Sequence, residues 1–226
     1  MSVLQAQYIN DEVAKRIVVQ PDNNMTRLSP FAGYLQTRLD VVPGFRSRRT
    51  SIRRLPADTE YRLDAEGRDC ELFIVSGSLN NSSVSYSDGT YLRWANGDEE
   101  KLIAGTAGAV VFEMLHSFHR EDTQRIQLET KKKKWSPGSV DGLRVMSLHE
   151  HGGEHVALVH WNAHTKFRGH NHWGGEEIFV LEGTFHDEHG TYPTGTWIRS
   201  PHMSYHEPFT KEDGALIYVK VGHLAE

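Results

Sequence analysis

The sequence predicts an all-β protein built from two similar modules. Short runs of β-branched and aromatic residues recur between glycines and prolines along the 226 residues. No stretch keeps a 3.6-residue apolar period long enough to predict a long helix. The chain also repeats itself, because residues 51–114 overlie residues 157–220 without a gap, at an offset of 106.

The repeat places glycines and apolar blocks at matching positions. The shared glycines are Gly77/Gly183, Gly89/Gly195 and Gly108/Gly214. Glycines kept in this way mark turns or close backbone approaches, so we expect the same order of strands and turns in both halves. We therefore predict a first module over residues 1–120, a linker over residues 121–134 and a second module over residues 135–226.

Charge and composition narrow the classes of partner. The formal net charge is -5 and the sequence pI is about 6.3, which argues against nucleic acid as a partner. The lysine run at residues 131–134 is typical of a solvated connector. We expect no membrane partner, since no apolar run approaches the roughly 18 residues of a spanning helix and the first residues lack a signal-peptide pattern. The single cysteine, Cys70, fits a reducing compartment, so we expect a cytoplasmic protein.

The histidine content points to metal chemistry. The chain has 14 histidines and one cysteine, which favours imidazole and carboxylate ligands over thiolates. His170 and His172 are two residues apart, and alternation along a strand puts both side chains on one face. Their nitrogens are therefore expected to converge on one ion.

Two further ligands are predicted downstream. A diglycine at residues 174–175 allows a sharp bend that presents Glu176, and His206 lies five residues after Pro201. Glu177 stays open as an alternative to Glu176, because the diglycine makes strand alternation unreliable there. Three imidazoles and one carboxylate predict one divalent transition metal, with Zn²⁺ as first choice and Fe, Mn or Ni as alternatives.

These spacings resemble the two motifs of the cupin superfamily, G-x5-H-x-H-x3,4-E-x6-G and G-x5-P-x-G-x2-H. The matching residues are His170, His172, Glu176 and Gly183 for the first motif, and Gly195, Pro201 and His206 for the second, with Met203 where glycine is usual. The resemblance implies double-stranded β-helix (jelly-roll) barrels. Together with the repeat, it implies a tandem cupin, or bicupin.

Residues 172–183 and 187–196 are similar in amino-acid sequence to the cupin domain of the ChrR-type anti-sigma factors. This resemblance implies a metal-dependent sensor or regulatory binding protein whose partner is a sigma factor or another regulatory protein. In ChrR-type proteins a helical zinc-binding domain precedes the cupin, whereas here a second cupin takes that place. The alternative function is a cupin-type dioxygenase acting on a small diketone or a similar organic ligand. Relatives that pair through barrel edges imply a homodimer.

The first module has no histidine at the ligand positions. At the offset of 106, the four predicted ligands correspond to Asp64, Glu66, Cys70 and Glu100. We expect a barrel kept for packing, with a hard cation such as Ca²⁺ or Mg²⁺ as the alternative. Acidic neighbours should raise the pKa of the Cys70 thiol, which argues against redox sensing.

Overall fold

The computed structural model describes residues 8–21, 27–28, 33–42, 48–61, 69–95 and 100–224. These residues form β-strands, loops and one 3-10 turn at Thr130–Lys132, which confirms the predicted all-β class. No helix in these ranges has the length and apolarity needed to span a bilayer. Contacts divide the described chain into two units: unit 1 holds residues 8–11 and 27–132, and unit 2 holds residues 12–21 and 133–224.

In unit 1 the main sheet has the strand order β10-β8-β6-β9-β4-β3-β2, with β5 on β9 and β7 on β6. Its strands are β2 (Arg27–Leu28), β3 (Leu35–Val42), β4 (Arg48–Leu55), β5 (Glu60–Tyr61), β6 (Asp69–Asn80), β7 (Ser85–Ser87), β8 (Thr90–Trp94), β9 (Leu102–His116) and β10 (Ile126–Glu129). The apolar side chains of β6, β8 and β9 form its buried core.

Unit 2 repeats this order as β1-β17-β15-β19-β13-β12-β11, with β16 on β15 and a separate two-stranded sheet of β14 and β18. Its strands are β1 (Ile17–Val19), β11 (Ser136–Pro137), β12 (Leu143–His151), β13 (Glu154–Trp161), β14 (His170–Asn171), β15 (Glu176–Asp187), β16 (Gly190–Pro193), β17 (Trp197–Ser200), β18 (Tyr205–His206) and β19 (Ala215–Val221). Its core packs Ile178, Val180 and Ile217 against the ring of Trp161.

The repeated glycines occupy backbone positions that other residues tolerate poorly. Gly77 and Gly183 have φ values of 75° and 70°. A Cβ atom on either would lie 2.1 Å and 2.3 Å from the carbonyl oxygens of Gly108 and Gly214, respectively. The same close approach of two strands is therefore built into each unit, as the repeat predicts.

Each sheet gains an edge strand from a segment outside the repeat. β10 lies in the predicted linker and pairs with β8. β1 lies in the predicted first module, yet it pairs with β17 and belongs to unit 2. The backbone groups on the outer edges of β8 and β17 need partners, and each of these short strands supplies them.

The interior of unit 1 contains a buried ion pair. Glu113 accepts hydrogen bonds from Arg53 Nη2 at 2.7 Å, Arg49 Nη2 at 3.4 Å and the hydroxyl of Tyr61. Arg53 also donates to the hydroxyl of Tyr34 at 2.8 Å. Burial would raise the pKa of Glu113, but the charges of Arg53 and Arg49 outweigh burial and lower that pKa. Glu113 is therefore ionised, and its charge is neutralised inside the barrel.

We expect Glu113→Ala to destabilise unit 1 by about 3–5 kcal/mol, because it leaves the buried guanidinium of Arg53 without its carboxylate. Native-state hydrogen exchange of the slowest amides in β9 measures this loss for unit 1. The matched control is Glu129→Ala, whose exposed carboxylate pairs with Lys132 at 2.8 Å and should cost under about 1 kcal/mol. Equal losses in the two variants would contradict the assignment.

Candidate metal centre

The three predicted histidine ligands lie around one point in unit 2. β14 and β18 pair antiparallel, with His170 opposite His206. Residues paired in this way project to the same face of the ladder. The ring of His172 completes the group, with centroids 4.5 Å from His170 and 4.8 Å from His206. One nitrogen from each ring lies within 4.8 Å of the others.

Backbone hydrogen bonds hold the two ligand-bearing loops together. The amide of His172 donates to the carbonyl of Ser204 at 3.0 Å, and the amide of Met203 donates to the carbonyl of His172 at 2.8 Å. Met203 has a φ of 61°, in the left-handed region that favours the glycine usual at this motif position. The loops that carry His172 and His206 therefore form one connected frame.

Glu176 enters the group from the first position of β15. The preceding glycines, Gly174 and Gly175, have φ values of 74° and 73°, which permit the bend that the sequence predicts. The Oε2 atom of Glu176 lies 3.5 Å from His172 Nε2 and 3.9 Å from His206 Nε2. Glu176 therefore lies beside His172 and His206, while the mutual cluster of donor atoms consists of His170, His172 and His206.

Glu177 faces a different set of partners. Its carboxylate accepts a hydrogen bond from Trp197 Nε1 at 2.8 Å and lies 3.0 Å from His223 Nε2. Strand alternation resumes directly after the diglycine, which sends the two adjacent carboxylates to opposite sides. Of the two glutamates left open by the sequence, Glu176 is the one beside His172 and His206.

The donor set fits a metal ion. Glu176 Oε2 is buried and has no hydrogen-bond partner within the described part of the chain. An oxygen buried in this way costs free energy unless a donor or a cation meets it. The Nε2 atoms of His172 and His206 face each other at 3.0 Å. Ligand bonds of about 2.0–2.2 Å to a shared ion produce donor separations of this order.

Burial sets the protonation of the centre. It raises the pKa of Glu176 to about 7, despite the opposing charges of His206 and Arg16. Burial and the neighbouring imidazoles lower the pKa of His172 to about 3, and burial also lowers the pKa of His170. Both imidazoles are therefore neutral near pH 7, the state in which a ring nitrogen can bind a metal.

His206 differs, because acidic groups flank it. Burial would lower its pKa, but Asp187 and Glu176 outweigh burial and raise it. Asp187 Oδ2 lies 3.7 Å from His206 Nδ1. Burial would raise the pKa of Asp187, but contacts with His206, Tyr192 and Arg16 lower that pKa to about 2. A carboxylate on Nδ1 leaves Nε2 of His206 directed at Glu176 and His172.

The motif spacing does not reveal the supporting role of Asp187, which enters the sequence comparison only as the first residue of the segment 187–196. An acid near a predicted ligand loop was an available signal. The sequence could not predict that Asp187 contacts Arg16, since the two residues are 171 positions apart along the chain. Contacts of that separation carry no local sequence pattern.

The equivalent positions in unit 1 form no comparable group among the residues that the structure describes. Asp64 and Glu66 lie outside those residues. Cys70 is buried and lies 4.0 Å from the hydroxyl of Tyr61. Its pKa is raised as expected, although burial is the main cause and Glu113 the next. Glu100 accepts hydrogen bonds from Arg125 Nη2 at 2.6 Å and Trp94 Nε1 at 3.3 Å.

His170, His172 and His206 form the only cluster of three or more possible metal ligands found within the described ranges. In unit 1, the charges of Glu100 and Glu113 are met by arginines. The metal chemistry suggested by the described residues is therefore located in unit 2.

Comparison with solved structures shows the cupin fold. Ylba from E. coli superposes with a TM-score of 0.73 at 14% identity, covering 96% of this chain and 95% of that one. A proposed dioxygenase from Nostoc punctiforme gives a TM-score of 0.68 at 16% identity, with coverages of 95% and 81%. A point mutant of the oxalate decarboxylase OxdC from Bacillus subtilis gives 0.61 at 10% identity, with coverages of 87% and 74%.

Sequence comparison adds a family for the second half of the chain. No curated protein sequence matches significantly. The family model described as the ChrR cupin-like domain matches residues 123–225. That segment contains the four predicted ligands and the strands that carry them. Residues 123–225 are therefore similar to the ChrR cupin-like domain, in a chain that has the cupin fold in both halves.

Proposed function

We propose that this protein binds one divalent transition metal through His170, His172, Glu176 and His206, and that it acts as a metal-dependent sensor or regulatory binding protein. One observation carries the metal site. A buried carboxylate oxygen with no hydrogen-bond donor among the described residues faces the imidazoles of His172 and His206, which converge with His170. A divalent cation satisfies all of these atoms at once.

Zn²⁺ is the proposed ion, with Fe, Mn or Ni as alternatives. Imidazole nitrogens and a carboxylate form a borderline donor set that each of these ions accepts. The side chains of His172, Glu176 and His206 are buried, and His170 is partly exposed. The protein would hold the ion rigidly from one side and leave it reachable from the side of His170.

The family match supports the regulatory role. Residues 123–225 match a domain family described by its ChrR-like cupin, and the resemblance implies a sigma factor or another regulatory protein as partner. The described residues ahead of this match form a second barrel. We therefore propose that unit 1 replaces a helical partner-binding domain, in a homodimeric protein of the cytoplasm. Under this proposal, unit 2 contains a buried divalent cation when metal is bound and lacks that cation when metal is absent. The two states therefore differ in the net charge buried at the centre.

A dioxygenase acting on a small organic substrate is the second candidate. Its support is the open side of the centre, where His170 is only partly buried. Four protein ligands leave positions free on a six-coordinate ion, which can then activate oxygen or polarise a carbonyl. A neighbouring fold described as a proposed dioxygenase agrees with this candidate only at the level of fold.

We expect His172→Ala to abolish stoichiometric metal, because it removes a buried ligand from the centre. Metal content after native purification, measured by plasma mass spectrometry, provides the test. The matched control is His189→Ala, whose side chain is 47% exposed beside Glu188. Cys70→Ser should also retain full metal content. Unchanged metal in the His172 variant would contradict the site.

Metal affinity should fall as the pH drops below about 7. The proton on Glu176, whose pKa is about 7, competes with the ion, and so does the proton on His206 wherever that imidazole is charged. The apparent affinity should therefore fall by about tenfold per pH unit for each displaced proton. Chelator competition across this range measures the slope, and Glu176→Gln should make it shallower by one proton. A slope that is the same in both proteins would contradict the role of Glu176.

Two measurements separate the candidate functions. If the protein is regulatory, a sigma factor or another transcription regulator should co-purify with wild-type protein and be lost from His172→Ala. If it is a dioxygenase, the Fe(II)-loaded protein should consume oxygen with small diketones or phenols. We expect the first result and no turnover. Oxygen uptake that needs both substrate and His172 would overturn the regulatory proposal in favour of the enzyme.

A further inference from the structure

A segment that lies between two parts of unit 1 in sequence reaches the candidate metal centre of unit 2. Residues 12–21, named here the arm, carry strand β1, which pairs with β17 in the register Ile17 to Arg199 and Val19 to Trp197. The carbonyl of Glu12 also accepts a hydrogen bond from Arg199 Nη2 at 2.8 Å. The arm is therefore an integral edge of the second barrel.

One side chain of the arm extends beyond this edge. Arg16 Nη2 donates to Asp187 Oδ2 at 2.6 Å and to the hydroxyl of Tyr192 at 2.9 Å. Its guanidinium also lies 5.3 Å from the centroid of the Tyr192 ring. The side chain of Asp187 is fully buried and that of Arg16 is 23% exposed. A charge pair in this setting is screened far less by solvent than a surface pair.

The two carboxylate oxygens of Asp187 contact different groups. Oδ1 accepts from Tyr192 at 2.7 Å and from the amides of His189 and Gly190 at 2.8 Å and 3.0 Å. Oδ2 faces both Arg16 and, at 3.7 Å, His206 Nδ1. The contacts of Oδ1 fix the turn between β15 and β16. The contacts of Oδ2 place Arg16 and His206, a proposed metal ligand, at the same carboxylate oxygen.

We propose that the arm is a positioning element of the metal centre, in which Arg16 acts on His206 through Asp187. The inference rests on the metal site proposed above and adds its regulation. Groups that orient a ligand histidine through its second nitrogen typically change metal affinity by about 10–100-fold. Arg16 fixes the carboxylate that orients His206, so docking of the arm tightens metal binding.

Linkage makes this coupling reciprocal. If a docked arm raises the affinity for metal by some factor, bound metal stabilises the docked arm by the same factor. The loading of unit 2 is then reported by a segment that is joined to unit 1 in the chain at both of its ends. A metal sensor needs such an output, and the arm supplies one through an edge strand, without any change in the other strands of the barrel.

The test uses the full chain with three substitutions in the arm. Arg16→Ala should weaken Zn²⁺ binding by about tenfold or more in chelator competition, and Arg16→Lys should recover most of the loss because it keeps the charge. Lys15→Ala is the matched control, since Lys15 is 62% exposed and pairs with the exposed carboxylate of Glu12 at 2.7 Å. The visible ligand-field spectrum of the Co²⁺-loaded protein should shift in Arg16→Ala and stay unchanged in the control.

Hydrogen exchange tests the reciprocal effect. In the wild type, Zn²⁺ should slow exchange of the β1 amides by about the factor that Arg16→Ala costs in affinity. In Arg16→Ala, Zn²⁺ should slow exchange of the β1 amides only as much as it slows exchange in strands remote from the centre.

Wild-type affinity, spectrum and β1 exchange in Arg16→Ala would overturn the inference while leaving the metal site intact. Failure of the wild type to bind Zn²⁺ would instead overturn the proposed function. Loss of binding equally in Arg16→Ala and Arg16→Lys, with a lowered melting temperature in both, would assign the arm a folding role and refute positioning.

Discussion

The arrangement of the candidate metal centre depends on how the charge of one buried carboxylate, that of Glu176, is neutralised. Glu176 is held inside unit 2 with one oxygen that meets no hydrogen-bond donor among the described residues, 3.5 Å from His172. An isolated charge in this environment is costly, so the group must gain a proton or a cation. Its pKa of about 7 places it between these two states. The diglycine bend, the pairing of β14 with β18 and the contact between Asp187 and His206 together place the imidazoles of His172 and His206 beside this oxygen.

The two units differ in how a buried carboxylate is neutralised. In unit 1 the buried carboxylate of Glu113 is neutralised by Arg53, a cation that the chain carries itself. At the offset of 106, unit 2 has Val159 and Val219 at those two positions, and both pack against the apolar core. The carboxylate of Glu176 is buried elsewhere in unit 2, beside His172 and His206. One fold thus encloses a permanent internal cation in the first barrel and, under our proposal, an exchangeable one in the second.

Spacing along the chain and the internal repeat were enough to predict much of this arrangement. β4 (Arg48–Leu55) and β13 (Glu154–Trp161) stand at the predicted offset, and the four ligands were named from motif spacing. Partners that depend on tertiary contact were missed. β1 has three residues and no repeat signal, so nothing in the sequence assigned it to unit 2. The contact between Arg16 and Asp187 also joins distant segments, and the pairing of Glu113 with Arg53 has no counterpart in unit 2 to reveal it.

Anomalous diffraction from a crystal of the natively purified protein, recorded on both sides of the zinc absorption edge, tests the central claim most directly. Our account predicts one edge-dependent peak in each chain, about 2.0–2.2 Å from donor atoms of His170, His172, Glu176 and His206. The same experiment at the iron, manganese and nickel edges identifies the ion if zinc is absent. A fully ordered unit 2 with no anomalous peak among these four side chains, or with a hydrogen-bond donor seated on Glu176 in place of an ion, would contradict it.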